Sequence, residues 1–190
     1  MDILLTIVGV VLVVLAGIFV IIYNTLITLK NNVNKAWSNI DVILQKRYDM
    51  ISKLVEAVKG YMKYEKTLLV SLTSLRNAWM NVQDDKNVQN KIDASNNITT
   101  GLKTILATVE NYPNLKADNT IIELQRALIE VENEIADTRE FYNDTVNEYN
   151  IKIKVIPYLF FSGILHYNSL PFFEAPKEAE EPVSTTISDE

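Results

Sequence analysis

Few side chains in this chain are of types and spacings that support chemistry. There is no cysteine, which excludes disulfides, thiolate zinc sites and cysteine nucleophiles. A single histidine, His166, rules out a multi-histidine metal centre. Glu123, Glu130, Asp137 and Asp144 recur every seven residues and invite a carboxylate-cluster reading. Di-iron bundles also need Glu-x-x-His motifs, however, and none occurs, so the repeat reads as a solvated stripe. No glycine cluster could cradle a phosphate, and no serine or threonine sits in a motif that would activate it. Tyr61 and Tyr64 lie among Lys59, Lys63 and Lys66 and could stack on bases, but their spacing suits a half-buried helix edge. The formal charge is −6, so there is no dominant basic field for nucleic acid. The expectation is a protein without metal, cofactor or catalytic residues, and no nucleic-acid partner.

The polar residues of most interest stand near apolar seams. Asp41 and Arg47 interrupt the apolar face of one helical stretch, and Arg139, Asn143, Asn147 and Asn150 follow one face of another. Buried polar groups must be hydrogen-bonded, and across helices such bonds fix register. The preferred reading is that Asp41, Arg47, Arg139, Asn143 and Asn150 are structural pins. The competing one is a ligand pocket around Arg47, Arg139 and Asn143.

The elements that must hold these residues begin with a membrane helix. From Ile3 to Ile22 no residue is charged, and 16 of 20 are Val, Ile, Leu or Phe. At ~1.5 Å per residue such a run crosses the roughly 30 Å hydrocarbon core. A cleaved signal peptide would need a basic start, a shorter apolar run and a small-x-small site, and all three are missing. Gly9 and Gly17 share a face on which helices could associate. Asp2 precedes the run, whereas Lys30, Lys35, Lys46 and Arg47 follow it. The positive-inside rule then predicts an N-terminus outside the cell membrane and a body in the cytoplasm. Tyr23 falls at the exit as an interfacial anchor.

From residue 30 to residue 156 the periodicity is helical throughout. Val33, Ala36 or Trp37, Ile40, Ile43 or Leu44, Met50 or Ile51, Leu54 and Val58 mark a first helix, weakened at Gly60. Leu68 to Val82 and Val88 to Val109 carry two more, the latter closed by Tyr112-Pro113. A fourth, capped by Asp118 or Asn119, runs to about Val155, and its seam Ile121, Leu124, Leu128, Val131, Ile135, Tyr142 and Tyr149 keeps heptad spacing. Lys30–Lys66 has eight basic and four acidic residues, and Asp118–Lys154 has nine acidic and four basic, so first and last helices are expected side by side. The expected fold is all-α: one transmembrane helix, then an antiparallel, long-helix, four-helix bundle.

The expected divisions are an anchor over 1–29, a bundle over 30–157, an aromatic-rich segment over 158–173 and an acidic, disordered tail over 174–190. The aromatic segment is too short and too interrupted by Pro157, Gly163 and Pro171 to span a bilayer. If the chain breaks near Gly60–Tyr64, helix parity returns that segment to the membrane. Tyr158, Phe160 and Phe161 then touch the interface; otherwise they cap the bundle.

With these residues in view, the chain resembles the LemA family of bacterial membrane proteins over nearly its full length. The similarity is carried by Tyr23-Asn24, Ala36-Trp37-Ser38-Asn39-Ile40-Asp41-Val42, Lys46-Arg47-Tyr48-Asp49, Tyr64-Glu65 and Arg76. It continues in Glu110-Asn111-Tyr112-Pro113-Asn114-Leu115-Lys116-Ala117. The most specific match is Glu132-x-Glu134-Ile135-Ala136-x-x-Arg139-x-x-Tyr142-Asn143-x-x-Val146-x-x-Tyr149-Asn150, with Pro157 beyond. Ile51-Ser52-Lys53-Leu54 departs from a pattern in which proline is common, and Gly163–Phe173 matches only loosely. The resemblance implies a membrane-anchored antiparallel helical bundle with no established catalytic site and no settled molecular role.

The functional expectation is a non-enzymatic, membrane-tethered interaction or scaffold protein. Its partners are the lipid bilayer and membrane or cytoplasmic proteins, a second copy included. A ligand receptor or enzyme using the polar pocket, and a self-assembling membrane-shaping protein, are the alternatives.

Overall fold

The computed structural model describes residues 2–61 and 66–175. Met62 to Glu65 and the acidic tail from residue 176 lie outside the described residues, and with them Lys63, Tyr64 and the expectation of a disordered tail. The fold is all-α. In chain order the helices are α1 (Asp2–Lys59), α2 (Lys66–Met80), α3 (Val88–Val109), the single turn α4 (Pro113–Lys116), α5 (Asn119–Lys152) and α6 (Tyr158–Ile164). α1 ends at Lys59, followed by a turn at Gly60 and Tyr61, so the chain breaks where glycine weakens the helix. α5 starts at a cap: Asp118 Oδ1 accepts from the amides of Thr120 and Ile121 at 2.8 and 3.1 Å.

The chain divides into two compact units. The bundle unit comprises Ile40–Asp137 with the segment from Phe173. The directions of its helices follow from pairs of contacts. Gln45 and Tyr48 of α1 meet Trp79 and Arg76 of α2, so residue numbers rise on one helix as they fall on the other. Asp41 and Arg47 meet Lys91 and Ser95 of α3 in parallel sense. Arg47 and Tyr61 pair with Glu132 and Asp118, so α5 is antiparallel to α1. The result is an up-down-up-down four-helix bundle. Its core takes Ile40, Leu44, Ile51, Leu54 and Val58 from α1, Leu68, Leu72 and Trp79 from α2, Ile98, Leu102 and Ile105 from α3, and Ile121, Leu128, Val131 and Ile135 from α5. Helices α2 and α3 approach closely at Gly101, where a Cβ would lie 2.5 Å from Leu75 Cδ2.

The anchor unit comprises Met1–Asn39 and Thr138–Phe172. Burial on α1 begins at Ile22 and continues through Leu26, Leu29, Val33 and Ala36. Before it, most of Ile3–Ile21 is large, apolar and exposed within the structure. By length and composition this stretch can cross a membrane. Tyr142, Val146, Tyr149 and Ile153 continue the buried seam of α5. The last described residues of this unit, past α6, form a strap without regular secondary structure.

Candidate functional site

In the bundle unit the site is a polar layer centred on Arg47. The seam of α1 runs Ile40, Leu44, Arg47, Ile51, Leu54, so helical periodicity puts a guanidinium where a core residue belongs. Arg47 is only 1% exposed and must find partners inside. Its Nη1 donates to Thr99 Oγ1 at 2.9 Å and to Glu132 Oε1 at 3.0 Å, and its Nη2 donates to Ser95 Oγ at 2.8 Å. Thr99 Oγ1 in turn donates to Glu132 Oε2 at 2.8 Å, so both carboxylate oxygens are held. Burial lowers the pKa of Arg47 from its ordinary value, and the Glu132 carboxylate opposes that shift. A guanidinium stays protonated regardless, so the layer is a buried ion pair completed by two hydroxyls.

Two further pairs flank it. Lys91, nearly as buried, donates to Asp41 Oδ1 at 2.8 Å and lies 5.9 Å from the centroid of the Trp79 ring. Lys46 meets Glu134 at 2.8 Å, with both side chains close to half exposed. At one end of the unit Tyr61 donates to Asp118 Oδ2 at 2.7 Å. That bond holds the Asp118 carboxyl below the usual carboxylate range and raises the Tyr61 phenol.

The anchor unit uses side chains to hold main chain. Asn150 Nδ2 donates to the Leu170 carbonyl at 2.9 Å, and the Leu170 amide donates back to Asn150 Oδ1 at 2.8 Å. Tyr149 donates to the Asn168 carbonyl and Tyr142 to the Pro171 carbonyl, each at 3.0 Å. Burial pushes the Tyr142 phenol up to about 12. Trp37 packs edge-on against Tyr142, with ring centroids 5.6 Å apart. Three helix residues thus capture the strap at Asn168, Leu170 and Pro171. Ser162, buried within α6, donates to the Ile153 carbonyl just past the end of α5 at 2.8 Å.

The sequence-predicted polar residues are distributed as follows. Asp41 and Arg47 are in the polar layer of the bundle unit, and Asn150 is in the strap clasp of the anchor unit. Arg139 and Asn143 are half-buried on α5 in the anchor unit, and each is engaged in interactions there. Of the interface residues, Phe161 lies 5.6 Å from Phe19, ring centroid to centroid, and Phe19 stacks on Tyr23 at 6.1 Å. Tyr158 sits beneath Lys152, whose Nζ is 4.5 Å from the ring centroid, and Phe160 is exposed. Sequence reasoning did not single out Ser95, Thr99 or Lys91. Their signal was a polar i, i+4 row beside the apolar seam of α3. Among the described residues no group of three or more His, Cys, Asp or Glu is placed to hold a metal ion.

The fold and the site together define an all-α, membrane-associated class: a four-helix bundle with a paired polar interior, whose first helix begins with an apolar stretch of membrane-crossing length. The chain belongs to the LemA family, whose model matches residues 36–186. It is 21% identical over 186 residues to magnetosome protein MamQ 2 of Paramagnetospirillum magneticum, covering 86% of this chain and 68% of that protein. It is 19% identical to magnetosome protein MamQ of Magnetospirillum gryphiswaldense over the same shares of the two chains. It is 26% identical to protein LemA of Metamycoplasma hominis over 141 residues, 72% of this chain and 64% of that protein.

Proposed function

We propose that the chain is a non-catalytic interaction module of the LemA type, tethered by α1 with its N-terminus outside and its bundle in the cytoplasm. The observation that carries this reading is the polar layer. Arg47 spends its donors on Ser95, Thr99 and Glu132, so the most conspicuous charged group in the interior is consumed by the fold. What remains for partners is the outer surface, which a single-pass anchor concentrates at the membrane. The partners are membrane or cytoplasmic proteins, a second copy included, and the bilayer itself, reached by Tyr23, Tyr158, Phe160 and Phe161.

The test joins topology to stability. A reporter active only in the cytoplasm, fused after Glu190, should be active, and one active only outside should be silent. In-cell crosslinks of an Arg139→Ala variant should fall only in proportion to its folded fraction. Unchanged melting with the crosslinks lost would point to a ligand site instead.

One observation favours a ligand-binding alternative. A groove of about 570 Å³ in the bundle unit is lined by Ser52, Lys53, Glu56 and Arg76, with Leu124 as an apolar wall. Ser52 Oγ is buried there with no hydrogen-bond partner among the described residues. Small anions that raise the melting temperature of the intact chain but not of an Arg76→Gln variant would support that alternative.

A further inference from the structure

We infer that the membrane end of the anchor unit is a binding site for anionic phospholipid headgroups, formed by Lys30, Lys152 and Lys154 around the apolar helix α6. This rests on the membrane-facing reading of Tyr158–Phe161 given above and adds the lipid class.

The first support is the distribution of charge. The chain is acidic as a whole, yet residues 3–40 and residues 149–173 contain no Asp or Glu. Those two segments carry Lys30, Lys35, Lys152 and Lys154, whereas the acids of α5 end at Glu148. The acid-free parts are far apart in sequence, and the fold brings them together: Phe161 packs on Phe19, and Lys30 Nζ lies 5.1 Å from the centroid of the Tyr167 ring. Residues 161 to 167 therefore run beside residues 19 to 30 of α1, the stretch over which the chain leaves the apolar run at Ile22. Glu148, the nearest acid in sequence, precedes Lys152 by four residues.

The second support is what α6 leaves uncovered. Ile156, Phe160 and Ile164 are each more than 60% exposed, and Leu159 is nearly half exposed. An apolar surface with a lysine rim, continuous with a membrane-crossing helix, matches an anionic leaflet in both parts. The apolar side chains enter the acyl boundary, and the ammonium groups of Lys152 and Lys30, set beside the Tyr158 and Tyr167 rings, face the phosphates together with Lys154, two residues past Lys152. Lys30 stands eight residues past Ile22, about 12 Å along α1, so its long side chain must reach back towards a headgroup layer about 5–8 Å deep. Each lysine held near an anionic surface favours the anionic lipid roughly five-fold at moderate ionic strength.

The chain has no cysteine, so Phe160→Cys supplies a unique site for a fluorophore in the full-length protein. The labelled protein is placed in vesicles of equal parts phosphatidylglycerol and phosphatidylcholine, with bromine quenchers on one lipid or the other. Brominated phosphatidylglycerol should quench at least about two-fold more strongly than brominated phosphatidylcholine, and 0.5 M salt should shrink the difference. Joint substitution of Lys30→Gln, Lys152→Gln and Lys154→Gln should make the two lipids equal while leaving quenching itself intact. Equal quenching in the unsubstituted chain would overturn the anionic site but leave the membrane contact standing. Quenching by neither lipid, with the bundle folded, would overturn the contact and this inference with it. A preference that survives the triple substitution would show that these lysines do not form the site.

Discussion

The two units hold themselves together by different means. In the bundle unit the decisive contacts join side chain to side chain across helices: Arg47 with Ser95, Thr99 and Glu132, and Lys91 with Asp41. Each partner already lies on a regular helix, so the bonds select a register among helices that apolar burial would bring together anyway. In the anchor unit, side chains of α5 grip the backbone of a segment that has no helix of its own: Asn150 on Leu170, Tyr149 on Asn168 and Tyr142 on Pro171. There the bonds replace the hydrogen bonding that secondary structure would have supplied. Buried charge sets register, and neutral polar groups fix an irregular strap.

The sharpest way to break this contrast is at Arg47. Arg47→Ala leaves Glu132 partly buried without its cation and should cost about 3–5 kcal/mol of bundle stability, read from urea unfolding. Next is Asn150→Ala. Two main-chain groups of Leu170 lose their partners, at a cost of about 1–3 kcal/mol. Hydrogen exchange should show the Leu170 amide opening much faster, with little change at the amides of α3. Tyr142→Phe should cost about 1 kcal/mol through the bond to Pro171. It also carries a pH signature. The folded Tyr142 phenol is raised to about 12, so the folded state resists ionisation that the unfolded chain undergoes near 10. Stability from this group is full below about pH 10 and is lost as the pH rises towards 12; the phenylalanine variant should show a shallower alkaline decline. The smallest effect belongs to Lys46→Gln. Its pair with Glu134 is close to half exposed on both sides, and the melt should change by no more than about 0.5 kcal/mol.

Regular features were legible in the sequence because they repeat. The seam Ile121, Leu128, Val131, Ile135, Tyr142 and Tyr149 is buried, with only Leu124 left half-buried, and Asp118 caps α5. The opposite charges of the first and last helices become Lys46–Glu134 and Arg47–Glu132. The particular partners were not legible. Glu132 is one of eight acids on its helix, and only the register between α1 and α5 decides which of them meets Arg47. Ser95 and Thr99 look like ordinary helix hydroxyls until a guanidinium arrives from another helix. The strap was hidden for a different reason. A side-chain amide pairing with a peptide unit twenty residues away leaves no periodic trace.

The proposed role of the polar layer is to hold the register of the bundle. It is tested most directly by unfolding the Arg47→Met, Glu132→Leu double variant beside Arg47→Ala. Replacing both charges with apolar groups leaves Ser95 and Thr99 able to bond back to their own helix. The account predicts that the double variant recovers to within about 1 kcal/mol of the native chain, while Arg47→Ala stays destabilised. An Arg47→Ala variant that unfolds like the native chain would contradict it.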